Sequence, residues 1–516
     1  ILLAMTPETC RLHLDQVKRG GVIIYDAEFR GVDRQRIEGA GVIPLPVPLA
    51  KMAEQHGSRV MMNTAALGVA AALMEYPLKY LEDVIQQNFA AKGDRVVRAN
   101  LEVVRQGYNY GRDHGPRVNL GIRLPASPPQ RLVLHGNHAL SLGAVAAGCR
   151  FIAAYPMTPA TSIFEWLSAH AAQLGIVTKH AEDEIAAACM TVGAAHAGAR
   201  AMTATSGGGF SLMVEALGMA GMVEVPLVIA LVQRGGPSTG LPTRTEQADL
   251  LFAWHASQGE FPRFILAPGT PEECFEAAWR AFNLAEKYQC PAIIISDQFL
   301  GSSLRSVDPD AFSLDAVTID RGWTLTAAEL DQLEEPYRRY LDTESGISPR
   351  AIPGHPKAVY AITTDEHDEE SHIAEEIGNR VQQMRKRMRK LQTAVGEMRG
   401  PKWYGPENAA VTLICWGSTY GPAREAVDLL NRQGASVNLL HFVDIWPFPA
   451  EKALRELQKT QRTISVEQNY ESQFARLLRM ETGHVVAAQL NKYDGRPFSP
   501  QEIAAGVLQE AGLYVG

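Results

Sequence analysis

A chain of 516 residues has room for roughly three domains of about 150 residues each. With 46% hydrophobic and 21% charged residues it has an ordinary globular composition, and a net charge of -8 argues against a nucleic-acid-binding surface and fits a soluble enzyme. Its six scattered cysteines include no C-x-x-C pair, which speaks against a disulfide framework, a zinc ribbon or an iron–sulfur cluster held in this chain, and suits a reducing cytoplasm.

The first residues, Ile1-Leu2-Leu3-Ala4-Met5, have the apolar look of the end of a signal peptide. No basic segment precedes them and no small-residue cleavage site follows. The first residue is not Met, so the true start is expected upstream. No apolar run reaches bilayer-spanning length, so no membrane contact is expected. Residues 1–122 read as one unit, the C-terminal portion of an α/β domain. It holds a strand-like run, Gly21 to Asp26, and a Pro-broken extended piece, Val42 to Pro48. Helical patterns follow over 63–75 and 94–108.

A stiff linker, Leu124-Pro125-Ala126-Ser127-Pro128-Pro129, leads into residues 131–309. Here strands are expected at 151–155, 176–180, 200–204, 226–233 and 291–295, with helices between them. Such alternation means a doubly wound parallel sheet. Thr270-Pro271-Glu272-Glu273 reads as a capping box opening helix 271–288. Residues 310–405 break the alternation and read as a connector. Its acidic cluster (Asp365 to Glu370) and basic run (Arg380 to Arg399) are expected to be solvated faces. Residues 406–516 resume the alternation as a smaller α/β domain, with strands at 411–415, 436–440 and 463–466. No fixed-period repeat is present.

Ligands of a parallel sheet bind beyond the C-terminal strand ends, where four segments fall. In Tyr155-Pro156-Met157-Thr158-Pro159 two prolines fix the loop and Thr158 offers a hydroxyl; alone, it is more simply a stiff turn with Pro at a helix start. Glu182-Asp183-Glu184 opens a helix, as the helix dipole favours, but the small residues from Ala186 let a flat ring approach. Thr203-Ala204-Thr205-Ser206-Gly207-Gly208-Gly209 allows close backbone approach, to a phosphate or to an uncharged ring. The loop from Gln233 to Gln247 carries Arg234 and Arg244, the residue type that grips carboxylates bidentately. Each arginine taken alone is more simply a surface residue. The histidines (His135, His138, His180, His196) lack H-E-x-x-H spacing and read as structural or solvent-facing, and there is no G-x-S-x-G elbow.

Taken together, these segments resemble the α subunits of the 2-oxoacid:ferredoxin oxidoreductases. That family shows a Y-P-x-T-P loop, an acidic helix start, a T-A-T-S-glycine turn and an arginine-bearing loop in the same order. Gly136-Asn137-His138-Ala139 is similar to its opening G-N-E-A, with His138 where Glu is usual; Ala160 stands where Ser often follows T-P. Glu335-Pro336-Tyr337, Ser348 to Ala351 and Asp365 to Glu369 resemble its connector. Trp416-Gly417-Ser418 and Val466 to Tyr470 resemble its transketolase-C-like terminal domain. The first 120 or so residues resemble the family's γ subunit, fused in front.

The resemblance implies decarboxylation of a 2-oxoacid on thiamine diphosphate, electron transfer through [4Fe-4S] clusters to ferredoxin, and release of an acyl-CoA. In thiamine enzymes a buried carboxylate bonds N1′ of the pyrimidine, which lets N4′ take the C2 proton. By position this is Glu184, with Glu182 the alternative. Thr158 would meet the substrate; Arg244, or else Arg234, would hold its carboxylate. Tyr155, Pro156, Met157, Ser206 and Gly207 would line the cofactor pocket. No metal site is expected in this chain: the G-D-G segment that holds diphosphate and Mg2+ is absent. A β subunit supplying diphosphate, Mg2+ and cluster sites is therefore implied, paired as (αβ)2. The fused arrangement and the 235–247 loop look most like the 2-oxoglutarate enzymes, with pyruvate and branched-chain 2-oxoacids as alternatives. A transketolase-like or 2-oxoacid dehydrogenase component should carry G-D-G or a lipoyl partner. A non-catalytic scaffolding subunit is the remaining alternative.

Overall fold

The computed structural model describes residues 1–116, 125 and 127–512. Leu124 and Ala126 of the expected linker, and the expected boundary at 122, lie outside them. The chain divides into two compact units, Ile1–Pro129 and Gln130–Gly516.

The first unit holds a parallel sheet, β1 (Leu2–Ala4), β2 (Val22–Asp26) and β3 (Ile43–Val47), in that order. Leu2–Ala4, which has the look of a leader remnant in the sequence, is thus an edge strand with Leu3 paired to Ile24. Three apolar residues are too few to define a class by themselves, and a neighbouring strand end satisfies their backbone. The prolines of β3 are tolerated because an edge strand leaves one side of its backbone unpaired. Helices Met62–Leu73 and Asp94–His114 lie backbone to backbone. A methyl at Gly68 would strike the Val104 carbonyl, and one at Gly107 that of Ala65.

The second unit's strands are β4 (Leu132–Leu134), β5 (Phe151–Ala154), β6 (Val177–His180), β7 (Ala201–Thr205), β8 (Leu227–Gln233), β9 (Phe264–Leu266), β10 (Pro291–Asp297), β11 (Arg305–Val307), β12 (Lys402–Tyr404), β13 (Val411–Trp416), β14 (Val437–Phe442), β15 (Asp444–Trp446), β16 (Thr463–Glu467) and β17 (Ala488–Asn491). Seven form the main sheet in the order β15-β9-β10-β8-β7-β5-β6, parallel except for β15. β8 and β10 are buried along their whole length, as apolar strands covered on both faces must be. From β5 the chain goes out to β6 and then returns to β7 on the other side. The crevice between β5 and β7 is therefore the topological switch point, where ligands bind in such sheets.

A second sheet, β12-β14-β13-β16-β17, holds most of the C-terminal strands. It is not isolated from the first. β15 pairs with β9, and one apolar cluster joins Ile229 and Ile293 to Trp416, Phe442 and Phe474. Three-residue strands such as β9 and β15 were invisible in the sequence, being too short to show a period.

The structure corrects two sequence expectations. Helix Ile377–Ala394, the basic run, is not simply a solvated face: Lys386, Arg387 and Lys390 are among the most buried side chains. They recur at helical spacing, so one side of the helix faces inward. Lys386 and Lys390 reach the buried Glu224 carboxylate at 2.6 and 2.5 Å. Arg387 grips Glu366 of the acidic cluster with both terminal nitrogens. The capping box at Thr270 is only half made. The Thr270 hydroxyl accepts from the Glu273 N–H, but the Glu273 carboxylate bonds the Gly269 N–H and His441 Nε2 instead of the Thr270 backbone. A long-range partner has outcompeted the local one.

Candidate functional site

The four segments singled out in the sequence follow β5, β6, β7 and β8, adjacent strands at one end of the sheet. Tyr155, Pro156 and Thr158 are exposed, while Met157 is half-buried and turns inward. The Gly209 N–H donates to Met157 Sδ at 3.2 Å. The Asn137 side-chain amide donates to the Pro159 carbonyl and to Ser162 Oγ, both at 2.9 Å. That amide ties the loop to the helix Gly136–Ala146.

After β6, the three acidic residues take three different positions. Glu182 is exposed. Asp183 caps the helix Glu184–His196 by accepting from the Ala186 N–H at 2.8 Å. Glu184 is 3% exposed, and its Oε1 has no hydrogen-bond partner among the described residues. Burial raises its carboxyl above the ordinary range, and the charge of Asp183 adds to the rise.

After β7, the glycine turn passes directly over the Glu184 carboxyl. A methyl on Gly209 would lie 2.5 Å from Glu184 Oε1 and clash with Thr205 Oγ1 as well. One on Gly207 would lie 2.5 Å from Asp249 Oδ2. Ser206 is buried, and its hydroxyl has no partner among the described residues. After β8, Arg234 Nη1 donates to the Thr158 carbonyl at 2.6 Å, joining two of the four segments directly.

Met157, Gly207, Gly208, Ser211, Arg234 and Asp249 bound one open cleft of about 530 Å3. Arg244 is not among the residues bounding it. It sits on the returning arm of the loop, its stem against Gly495, where a methyl would lie 3.0 Å from Arg244 Cβ. Sequence reasoning missed Asp249, which lies just past the loop singled out and ahead of a helix of only six residues, too short to show a period. It also missed the amide stitching of Gln247 to Trp416, Gln468 and Asn469, which no local pattern announces. Among the described residues no group of three or more His, Cys, Asp or Glu side chains could hold a metal, and no helix is long and apolar enough to cross a membrane.

A doubly wound sheet with these loops gathered at its switch point is the framework of a ligand-binding α/β domain. Residues 142–386 match the family described as pyruvate flavodoxin/ferredoxin oxidoreductase, thiamine diphosphate-binding. Residues 1–110 match pyruvate ferredoxin/flavodoxin oxidoreductase, and residues 409–503 match core domain II of pyruvate:ferredoxin oxidoreductase. The chain is 38% identical over 462 residues to 2-oxoacid:ferredoxin oxidoreductase 1, subunit alpha, of Sulfurisphaera tokodaii, covering 87% of this chain and 71% of the relative. It is 33% identical to 2-oxoglutarate oxidoreductase subunit KorA of Mycobacterium tuberculosis, over 98% of this chain and 79% of the relative. A 2-oxoglutarate:ferredoxin oxidoreductase from Magnetococcus marinus, solved with 2-oxoglutarate, coenzyme A and succinyl-CoA bound, superposes with a TM-score of 0.88 at 32% identity, covering 98% of this chain and 87% of that one. The chain belongs to the α subunits of the 2-oxoacid:ferredoxin oxidoreductase family. It is one subunit of an oxidoreductase.

Proposed function

We propose that the chain acts on 2-oxoglutarate, converting it with coenzyme A and oxidised ferredoxin to succinyl-CoA, CO2 and reduced ferredoxin, or running in reverse. The electrons released by cleaving the C1–C2 bond pass to ferredoxin. The observation that carries the site assignment is Glu184: a buried carboxyl with a free oxygen at the switch-point end of the sheet, backed by a glycine. Orphaned buried polar atoms are uncommon in folded proteins and call for a partner. Glu184 Oε1 and Ser206 Oγ, beside a wall of glycines, fit the flat, nitrogen-bearing pyrimidine half of thiamine diphosphate. When bound, thiamine diphosphate supplies the carbon nucleophile and the electron sink for decarboxylation.

This chain's residues then have separate tasks. Glu184 holds a proton toward the ring nitrogen N1′. Ser206 and Gly207, with Tyr155, Pro156 and Met157, shape the pocket. Thr158 offers its hydroxyl to the substrate from a loop fixed by Asn137 and Arg234. Of the two arginines, the geometry favours Arg234 for the carboxylate next to the 2-oxo group, because it bounds the cleft and reaches Thr158. Arg244 is left as a candidate for the second carboxylate of a dicarboxylic substrate. The choice of 2-oxoglutarate draws on the names of the Mycobacterium and Magnetococcus relatives; the Sulfurisphaera relative is named for 2-oxoacids in general. With no G-D-G segment and no paired cysteines, a β subunit supplies the diphosphate, Mg2+ and [4Fe-4S] sites, in an (αβ)2 assembly. Six free cysteines suit a cytoplasmic setting.

The test is the complex with its β subunit, assayed for coenzyme A-dependent viologen or ferredoxin reduction with 2-oxoglutarate, pyruvate and branched-chain 2-oxoacids. Glu184→Gln should nearly abolish turnover with every substrate. Full activity in that variant would remove Glu184 from the mechanism, and a preference for pyruvate would remove 2-oxoglutarate.

A further inference from the structure

Asp249 stands at the N-cap position of helix Leu250–His255, yet its side chain caps nothing. Its backbone, at φ -104 and ψ 8, is not in the extended conformation of a capping residue. The other aspartate caps among the described residues, Asp33, Asp183, Asp297 and Asp308, are extended, and each accepts an N–H of the helix it opens. At this helix the Leu251 N–H is taken by Gln473 Oε1 at 3.0 Å instead. Gln233 Oε1, at the end of the strand that precedes Arg234, accepts from the Asp249 N–H at 2.9 Å and fixes the backbone there. The carboxyl is thus released from its usual structural role and held in the wall of the cleft. Its Oδ2 is buried and has no hydrogen-bond partner among the described residues, and Gly207 lies over it.

We propose that Asp249 is a substrate-binding residue that meets the 2-oxoacid carboxylate as a neutral acid, donating a hydrogen bond beside the Arg234 guanidinium, so that substrate binding takes up a proton. This rests on the assignment of the cleft to the substrate carboxylate. An ionised Asp249 would repel that carboxylate, whereas a protonated one has both a donor to offer and an unused oxygen. Burial pushes the Asp249 carboxyl up to about 6, and the charge of Arg234 only partly opposes it. The charges that face it are few among the described residues. Arg234 and Glu246 lie on the same loop, and Glu246 is itself raised by burial and by Asp249. The helix from Gly207 brings only Gly207, Gly208 and Ser211 to the cleft, the β5 loop brings Met157, and Gln473 is neutral. Glu184 lies under Gly209, on the far side of the glycine turn.

The experiment is steady-state kinetics of the complex with its β subunit, with saturating coenzyme A and viologen, from pH 5.5 to 8.5 (about half a unit below to well above the Asp249 value). It is run separately with 2-oxoglutarate and pyruvate on wild type, Asp249→Asn and Arg234→Lys. In wild type, KM for the 2-oxoacid should rise above about pH 6, approaching tenfold per pH unit, with no matching limb in kcat. In Asp249→Asn, which keeps a donor but cannot ionise, KM should be flat across that range. Parallel KM profiles in wild type and Asp249→Asn would overturn the inference, as would a flat wild-type profile, which needs no variant to fold. If Arg234→Lys leaves KM unchanged for both acids, the assignment of the cleft fails. If Arg234→Lys raises KM by tenfold or more while the Asp249→Asn profile stays parallel to wild type, only the role of Asp249 fails.

Discussion

Glu184 and Glu224 are both buried carboxylates of one α/β unit, 3% and 0% exposed, and they are treated in opposite ways. Burial opposes the ionisation of Glu224, yet Lys386 and Lys390 at 2.6 and 2.5 Å hold it well below the ordinary carboxylate range. Its backbone carbonyl is taken by Arg339. Among the described residues no cation pairs with Glu184, whose Oε1 has no partner there and whose carboxyl is raised by burial. A buried charge with every partner in place pins one element to another; here it fastens the connector helix to the thiamine-binding domain. A buried acid without partners contributes little to the fold, and its free oxygen is available to a ligand.

That contrast can be broken first at Glu224. Glu224→Gln leaves two lysines buried without a counter-charge, and should lower the unfolding free energy by about 3–5 kcal/mol, read by denaturant titration. A loss under about 1 kcal/mol would mean that the pair is not isolated from water. At Gly209, an added methyl meets the Glu184 carboxyl and Thr205 Oγ1. Gly209→Ala should cost about 1–3 kcal/mol and weaken thiamine diphosphate retention by the complex. Gly193→Ala is the control: it lies in the same helix as Glu184 with open space at its Cβ, so stability should rise by about 0.5–1 kcal/mol. Glu184→Gln should move stability by no more than about 0.5 kcal/mol while removing activity. A large loss of stability would make Glu184 structural, like Glu224.

Acid sharpens the same comparison. Glu273 and Glu366 are opposed by burial but held down to about 2, by His441 and Lys402 and by Arg387 and Arg380 respectively. With Glu224 they contribute stability that is fully present above the unfolded carboxylate value of about 4.5 and is lost as pH falls toward 2. Asp249 and Glu184 have the opposite sign. Their folded values are raised, so their contribution is present below the unfolded value and is lost as pH rises through the folded one, about 6 for Asp249. Unfolding midpoints of wild type and Asp249→Asn should therefore diverge as pH rises from about 4 to 6 and then run parallel.

Much of the sheet was legible in the sequence. Apolar runs such as Leu227 to Gln233 and Pro291 to Asp297, bounded by turn residues, state a doubly covered strand directly. The four loops could be ranked because they recur at successive strand ends. What stayed hidden depends on residues far apart in the chain. The inward face of helix Ile377–Ala394 has its partner at Glu224, 162 residues before Lys386, and a basic run looks the same whether solvated or paired. Asp249 drew no notice in the sequence, and the residue that takes the Leu251 N–H in its place, Gln473, lies more than two hundred positions later.

The sequence by itself determined the α/β class, the order of the main strands and the family, since these follow from local hydrophobic period and from short motifs. Only the tertiary structure decided which carboxyls are partnered. It buried Glu184 and exposed Glu182, turned Asp249 from its helix into the cleft, and placed Arg234 rather than Arg244 beside Thr158. The reason is physical: ionisation and hydrogen bonding depend on what surrounds an atom in space, and chain order fixes those surroundings only through the complete fold.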